Sequence, residues 1–62
     1  MNRKELQQAI TDTLAEIEQV KEQLSQATDP REELQLTKRK RELQIRQLWN
    51  IDQLEALKNQ GD

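Results

Sequence analysis

Apolar residues in the first half of the chain recur at alternating intervals of four and three. The series consists of Leu6, Ile10, Thr13, Ile17, Val20, Leu24 and Ala27, and Thr13 is its only polar member. At about 100° per residue, this spacing places all seven side chains on one side of an α-helix. The pattern predicts an amphipathic helix from about residue 3 to residue 27. Asn2, followed by Glu5 three positions later, predicts a capping box at its start.

A break in this pattern follows at residues 28–32, which read TDPRE. Asp29 suits an N-cap, Pro30 suits the first helical position, and Glu32 completes a second capping box. Proline also disfavours the α conformation at Asp29, so the first helix should end before it. We therefore predict a second helix from Pro30 to about Asn59, with Gly61 as a left-handed residue at its end. So short a turn predicts an all-α, antiparallel two-helix hairpin; one long helix kinked at Pro30 is the alternative.

The second helix is apolar on two sides. One side carries Leu36, Leu43, Ile51, Leu54 and Leu57, and the nearly opposite side carries Leu34, Ile45, Leu48, Trp49 and Ala56. If facing residues in the hairpin have numbers that add up to about 60, the first side meets the first helix. The expected layers are Leu24 with Leu36, Ile17 with Leu43, Thr13 with Gln47, Ile10 with Ile51 and Leu6 with Leu54.

The opposite side of the second helix is left over by this pairing. Because a helix that is apolar on two sides needs two neighbours, we predict a second interface there, used for self-association or for a partner's helix. Trp49, the only aromatic residue, is its natural anchor. In the alternative interpretation these residues form a broad flank of the hairpin, and Trp49 fills a wide part of the intramolecular core.

Composition supports a shared core. Only 32% of the 62 residues are hydrophobic and 35% are charged, which is also typical of disordered chains. The helical periodicity favours folding, but so few apolar residues are sparse for a chain that folds alone. We therefore expect one helical-hairpin domain over residues 1–62 that associates as a homodimer, in a four-helix bundle or coiled-coil-like assembly, or docks onto a helical partner.

The missing residue types exclude most catalytic chemistry. Without His or Cys the chain has no imidazole base, thiolate, disulfide or typical zinc site, and its single Gly cannot form a glycine-rich phosphate loop. We predict no enzymatic activity, no cofactor, no metal and no small-molecule substrate. The longest apolar run is two residues, so no membrane segment or signal peptide is expected. A cytoplasmic location is expected because secreted domains this small usually carry disulfides.

Basic residues on the second helix suggest another kind of contact. The run from Lys38 to Arg41 does not form one patch, since successive helical residues point in different directions. A more coherent row consists of Arg31, Arg39 and Arg46, with Lys38 at its margin. It is a candidate contact for nucleic acid or an acidic partner, and a dimeric RNA- or DNA-binding regulator is the alternative function. Glu42 in the same row and the net charge of −2 argue against this alternative.

Charges also bear on pairing between helices. Residues 5–33 hold eight of the twelve acids, so we expect the carboxylates of Glu16, Glu18 and Glu22 to face the basic run across the hairpin. Arg41 and Asp52 lie beside the second apolar side, where they would pair in a symmetric antiparallel dimer or else remain surface charges. The function predicted overall is a small non-catalytic protein–protein interaction module of adaptor, inhibitor or small-chaperone type.

Overall fold

The protein is an antiparallel hairpin of two α-helices. A computed structural model describes residues 2–60, apart from the side chain of Gln60, and Gly61, the predicted helix-terminating residue, lies outside this range. Helix α1 is Arg3–Gln26 and helix α2 is Pro30–Gln60, and the described residues contain no strand. The molecule is a rod of 50 × 14 × 14 Å. The predicted hairpin is confirmed, and the alternative of one long kinked helix is wrong.

Both helices begin at residues that satisfy their free amide groups. The Asn2 side chain accepts a 2.8 Å hydrogen bond from the Glu5 amide and donates a 3.3 Å bond to the Glu5 carboxylate. At the second helix, Asp29 Oδ1 accepts a 3.0 Å bond from the Arg31 amide. Side-chain acceptors of this kind replace the backbone carbonyls that the first turn of a helix lacks. Each helix therefore begins where the sequence predicts.

Helix α1 ends one residue before its predicted limit. Ala27 takes an extended conformation, with φ −72° and ψ 133°, and its amide donates a 3.3 Å bond to the Leu24 carbonyl. Pro30 follows shortly after and allows no continuation of α1, since it imposes extended backbone on the residue before it. The chain reverses over Ala27, Thr28 and Asp29, and this short connection holds the two helices side by side.

The inner side of α1 is the predicted apolar series. Leu6, Thr13, Ile17 and Val20 are buried, and Ile10, Leu24 and Ala27 are half-buried. The core consists of Ile17, Val20 and Leu43, against which Leu24 and Leu36 pack. These contacts fit the expected register, in which facing residues have numbers that add up to about 60.

The inner side of α2 differs from the prediction at one layer. Its regularly spaced, at least half-buried residues are Leu36, Lys40, Leu43, Gln47, Asn50, Leu54 and Leu57. Their intervals again alternate between four and three, so they match α1 along its length. Ile51 was expected opposite Ile10, but it is 36% exposed at the edge of the hairpin, and Asn50 takes the inner position. Asn50 lies inside because it continues the spacing of four and three residues that faces α1, although Ile51 is the more hydrophobic residue.

Candidate protein-interaction surface

The side of α2 that faces away from α1 carries large exposed apolar residues. Their exposed fractions are 59% for Leu34, 59% for Ile45, 63% for Leu48 and 66% for Trp49. The outer face is defined as these four residues together with six further exposed residues of the same side, which are Lys38, Arg41, Asp52, Glu55, Ala56 and Asn59. At about 100° per residue, its centre lies nearly opposite the inner side of α2. The hairpin therefore leaves this whole surface without an intramolecular neighbour.

Trp49 is exposed in the hairpin and does not belong to its core. Four hydrophobic side chains are buried in the described part of the chain, while six large ones are exposed, Trp49 most of all. The alternative in which Trp49 fills a wide part of the intramolecular core is therefore wrong. Large contiguous apolar surface on a small chain is typical of an interaction site, whereas isolated exposed side chains need no explanation.

The outer face has a regular repeat of its own. Spaced at four and three along α2, and exposed throughout, are Leu34, Lys38, Arg41, Ile45, Leu48, Asp52, Glu55 and Asn59. Trp49 and Ala56 lie beside this row, each one position after a member of it. Lys38 is predicted at the margin of the basic row, and Glu55 is not among the predicted site residues. Both residues are identified when the heptad spacing of Ile45 and Leu48 is continued in both directions along α2.

Arg41 and Asp52 lie on the same face but do not contact each other. Eleven residues apart on a helix, they are separated by about 16 Å along its axis. Among residues 2–60 the ion pairs are Glu18 with Lys21 and Glu16 with Arg39, so neither Arg41 nor Asp52 is paired within the hairpin. Both charges are therefore available to a second molecule.

The basic row does not form one unoccupied surface. Arg31, Arg39 and Arg46 are all exposed, but Arg39 Nη2 lies 3.3 Å from Glu16 Oε2 of α1. Arg39, the middle residue of the row, is thus paired with Glu16 at the edge of the hairpin interface. Glu42 lies in the same row but forms no ion pair with Lys38 or Arg46 among the described residues.

Charge pairing across the hairpin is more limited than expected. Of the three acids predicted to face the basic run, Glu16 pairs with Arg39, whereas Glu18 pairs at 3.8 Å with Lys21 of its own helix. Glu22 is exposed and takes part in neither pair. Lys and Glu three residues apart on one helix are near neighbours, which favours the local pair.

Two further properties of residues 2–60 bear on function. No helix there has a stretch apolar and long enough to cross a membrane. No group of three or more acidic residues there is arranged to hold a metal ion.

Comparison with family models, curated proteins and solved structures finds no match to this chain. Among the described residues, the outer face is therefore the surface that best indicates a function.

Proposed function

We propose that this protein is a small non-catalytic interaction module that acts through self-association and helix–helix docking on the outer face of α2. Such a module would act as an adaptor, an inhibitor or a small chaperone. One observation carries the proposal: Ile45, Leu48 and Trp49 are each at least 59% exposed and are adjacent on the side of α2 opposite α1. Water contact with this much apolar surface is unfavourable, and a docked helix would remove it.

The shape of the hairpin suits docking by a helix. The outer face extends from Leu34 to Asn59 on one continuous helix, so it presents a row about 38 Å long. A second helix laid along this row would contact successive turns, as helices do when side chains repeat every seven residues. Trp49 lies near the middle of α2, where a large aromatic side chain contributes most to binding.

Nucleic-acid binding has less support. The chain has a net charge of −2, and the central arginine of the basic row is paired with Glu16. Phosphate binding depends on clustered positive charge that is free to replace counterions. We therefore treat retention on RNA or DNA as a test of the proposal.

Trp49 provides the experiment, because it is the only tryptophan and is 66% exposed in the hairpin. We expect its fluorescence emission to shift to shorter wavelength as the protein is concentrated from about 1 μM to about 1 mM, a range that covers weak to moderate helix association. Leu48→Glu, which puts a charge in the middle of the outer face, should abolish the shift.

Leu14→Glu is the matched control, since Leu14 is also half-exposed, at 51%, but belongs to α1. It makes the same substitution away from the outer face and should leave the shift unchanged. Emission that is independent of concentration, or an equal effect of the two substitutions, would overturn the proposed function.

A further inference from the structure

The charges along the outer face lie at matching distances on either side of its centre and are opposite in sign. Passing from the N-terminal to the C-terminal end, the face presents two bases, then two apolar residues, then two acids. These are Lys38 and Arg41, then Ile45 and Leu48, then Asp52 and Glu55. When these six residues are turned end for end, each base meets an acid and each apolar residue meets an apolar residue. The face is thus complementary to a reversed copy of itself.

We propose that the occupant of the outer face is a second copy of this chain, bound antiparallel. The twofold axis would cross the outer face at the height midway between residues 46 and 47 of α2. This proposal rests on the proposed function and names its partner and register. Symmetric dimers use the same surface on both subunits, so each contact occurs twice. A different helical partner would require this chain to complement that partner, but would not require it to complement itself.

The heptad spacing of α2 defines the layers of this dimer. In an antiparallel pair, the two positions of each heptad repeat face each other at equal heights when their numbers add up to a constant. When the numbers of facing residues add up to 93, each of the eight residues in the row faces a residue of the same row in the other copy. The layers, each formed twice, are Ile45 with Leu48, Arg41 with Asp52, Lys38 with Glu55, and Leu34 with Asn59.

The centre of this register is its apolar part. Four apolar layer residues, Ile45 and Leu48 from each copy, surround the twofold axis, and the exposed Trp49 of each copy lies on their flank. Trp49 follows Leu48 directly, so its indole would cover the central layers on one side and exclude water from them. Ala56 occupies the equivalent flanking position one heptad further on, where its small side chain lets the helices approach.

The charged layers decide the direction of the pair. In the antiparallel dimer, Arg41 of one copy lies at the level of Asp52 of the other, whereas a parallel dimer would place Arg41 against Arg41 and Asp52 against Asp52. Like charges brought together at an interface select against a pairing, even where opposite charges add little affinity. Because the inner and outer sides of α2 are nearly opposite, the two α2 helices form the middle of the assembly and the two α1 helices its outside.

Spin labelling tests the register directly, because the chain has no native Cys. A label on Glu32→Cys, an exposed position in the first turn of α2, would be separated from its equivalent by about 44 Å along the axis of the antiparallel dimer. In a parallel dimer the two labels would lie at the same height, within about 20 Å of each other. Pulsed electron paramagnetic resonance measures this distance, and a short distance would overturn the register.

Charge exchange tests the pairing. We expect Arg41→Asp and Asp52→Arg each to weaken dimerisation at least about tenfold, because each brings like charges together. The double variant, carrying both substitutions, restores opposite pairs and should return the dissociation constant to within about threefold of the original. Arg46→Asp is the matched control and should leave dimerisation unchanged, because it makes an equal change of charge at an exposed position about 130° around α2 from the centre of the row.

The outcomes separate this inference from the proposed function. A dimer sensitive to Leu48→Glu, but with a short label distance or no response to Arg41→Asp, would overturn the antiparallel register and leave the docking function standing. A protein that remains monomeric at about 1 mM would overturn both.

Discussion

Gln47 of α2 reaches across the hairpin and donates a 3.0 Å hydrogen bond from Nε2 to the backbone carbonyl oxygen of Ile10 in α1. Its other polar atom, Oε1, is buried, and no donor among the described residues lies within hydrogen-bonding distance of it. The expected facing position is Thr13, which is itself buried. A polar layer thus lies near the middle of the hairpin, where a buried oxygen without a donor lowers stability.

We predict that Gln47→Leu stabilises the hairpin. The substitution removes one hydrogen bond, whose net contribution is about 1 kcal/mol, but also removes a buried acceptor without a donor and adds apolar burial. The free energy of unfolding should rise by about 1 kcal/mol, as measured by urea denaturation followed by circular dichroism. Gln53→Leu, at an exposed position, is the control and should change it little. A loss of stability in Gln47→Leu would mean that the bond to Ile10 outweighs the unsatisfied oxygen.

Substitution of the two leucines on opposite sides of α2 should have very different effects on folding. Leu43 is 1% exposed and belongs to the core, so Leu43→Ala should cost about 2–5 kcal/mol and leave little folded protein. Leu48 is 63% exposed, so Leu48→Ala should change the free energy of unfolding of a single hairpin by about 0.5 kcal/mol or less. Thermal unfolding followed by circular dichroism in dilute solution measures both. Equal destabilisation would contradict the assignment of inner and outer sides.

The turn should depend on its capping residue. Asp29→Ala removes the acceptor for the Arg31 amide at the start of α2 and should lower the free energy of unfolding by about 1 kcal/mol. Asp29→Asn keeps an oxygen acceptor in the same place and should retain most of the stability. Urea denaturation of the two variants distinguishes capping from the negative charge: if Asn behaves like Ala, the charge rather than the hydrogen bond is what stabilises the turn.

The ion pair between the helices should matter little. Arg39 and Glu16 are both about half exposed, and solvent screens a pair of this kind. We predict that Glu16→Gln changes the free energy of unfolding by less than about 0.5 kcal/mol. Lys21→Gln, which removes the exposed pair within α1, provides a reference of similar size. A larger loss specific to Glu16→Gln would show that this pair helps to fix the hairpin.

Retention on immobilised RNA or DNA should be absent even at low salt. The chain is acidic overall, and Arg39 is paired with Glu16. Electrostatic binding to nucleic acid is strongest at low salt, so this condition gives the alternative function its best opportunity. Retention that disappears in moderate salt and is lost in Arg31→Ala and Arg46→Ala would favour a nucleic-acid-binding regulator instead.

Much of the fold follows from local sequence rules. The capping residues Asn2 and Asp29, together with Pro30, set the start of each helix, and the alternating spacing in α1 defines its inner side. These features are predictable because each depends on neighbours within one or two helical turns.

The inner side of α2 was harder to predict, because hydrophobicity and spacing disagree there. Ile51 is the more apolar residue, but Asn50 continues the series that matches α1, and so it lies inside. Half-buried Lys40 was missed for the same reason. Only the requirement that two long helices stay in register along their whole length identifies these positions, and that requirement is a property of the pair. The exposure of Leu34, Ile45, Leu48 and Trp49 agrees with the predicted second side of α2, whereas the position of Glu55 on that side follows only from the continued spacing.

The molar mass in solution tests the central claim most directly. Sedimentation equilibrium over about 1 μM to about 1 mM should show a mass that rises with concentration towards twice the 7.4 kDa of one chain, and Leu48→Glu should hold it at 7.4 kDa. Folded, unmodified protein that stays at 7.4 kDa throughout this range would contradict the account, because the outer face would then remain in water without a partner copy.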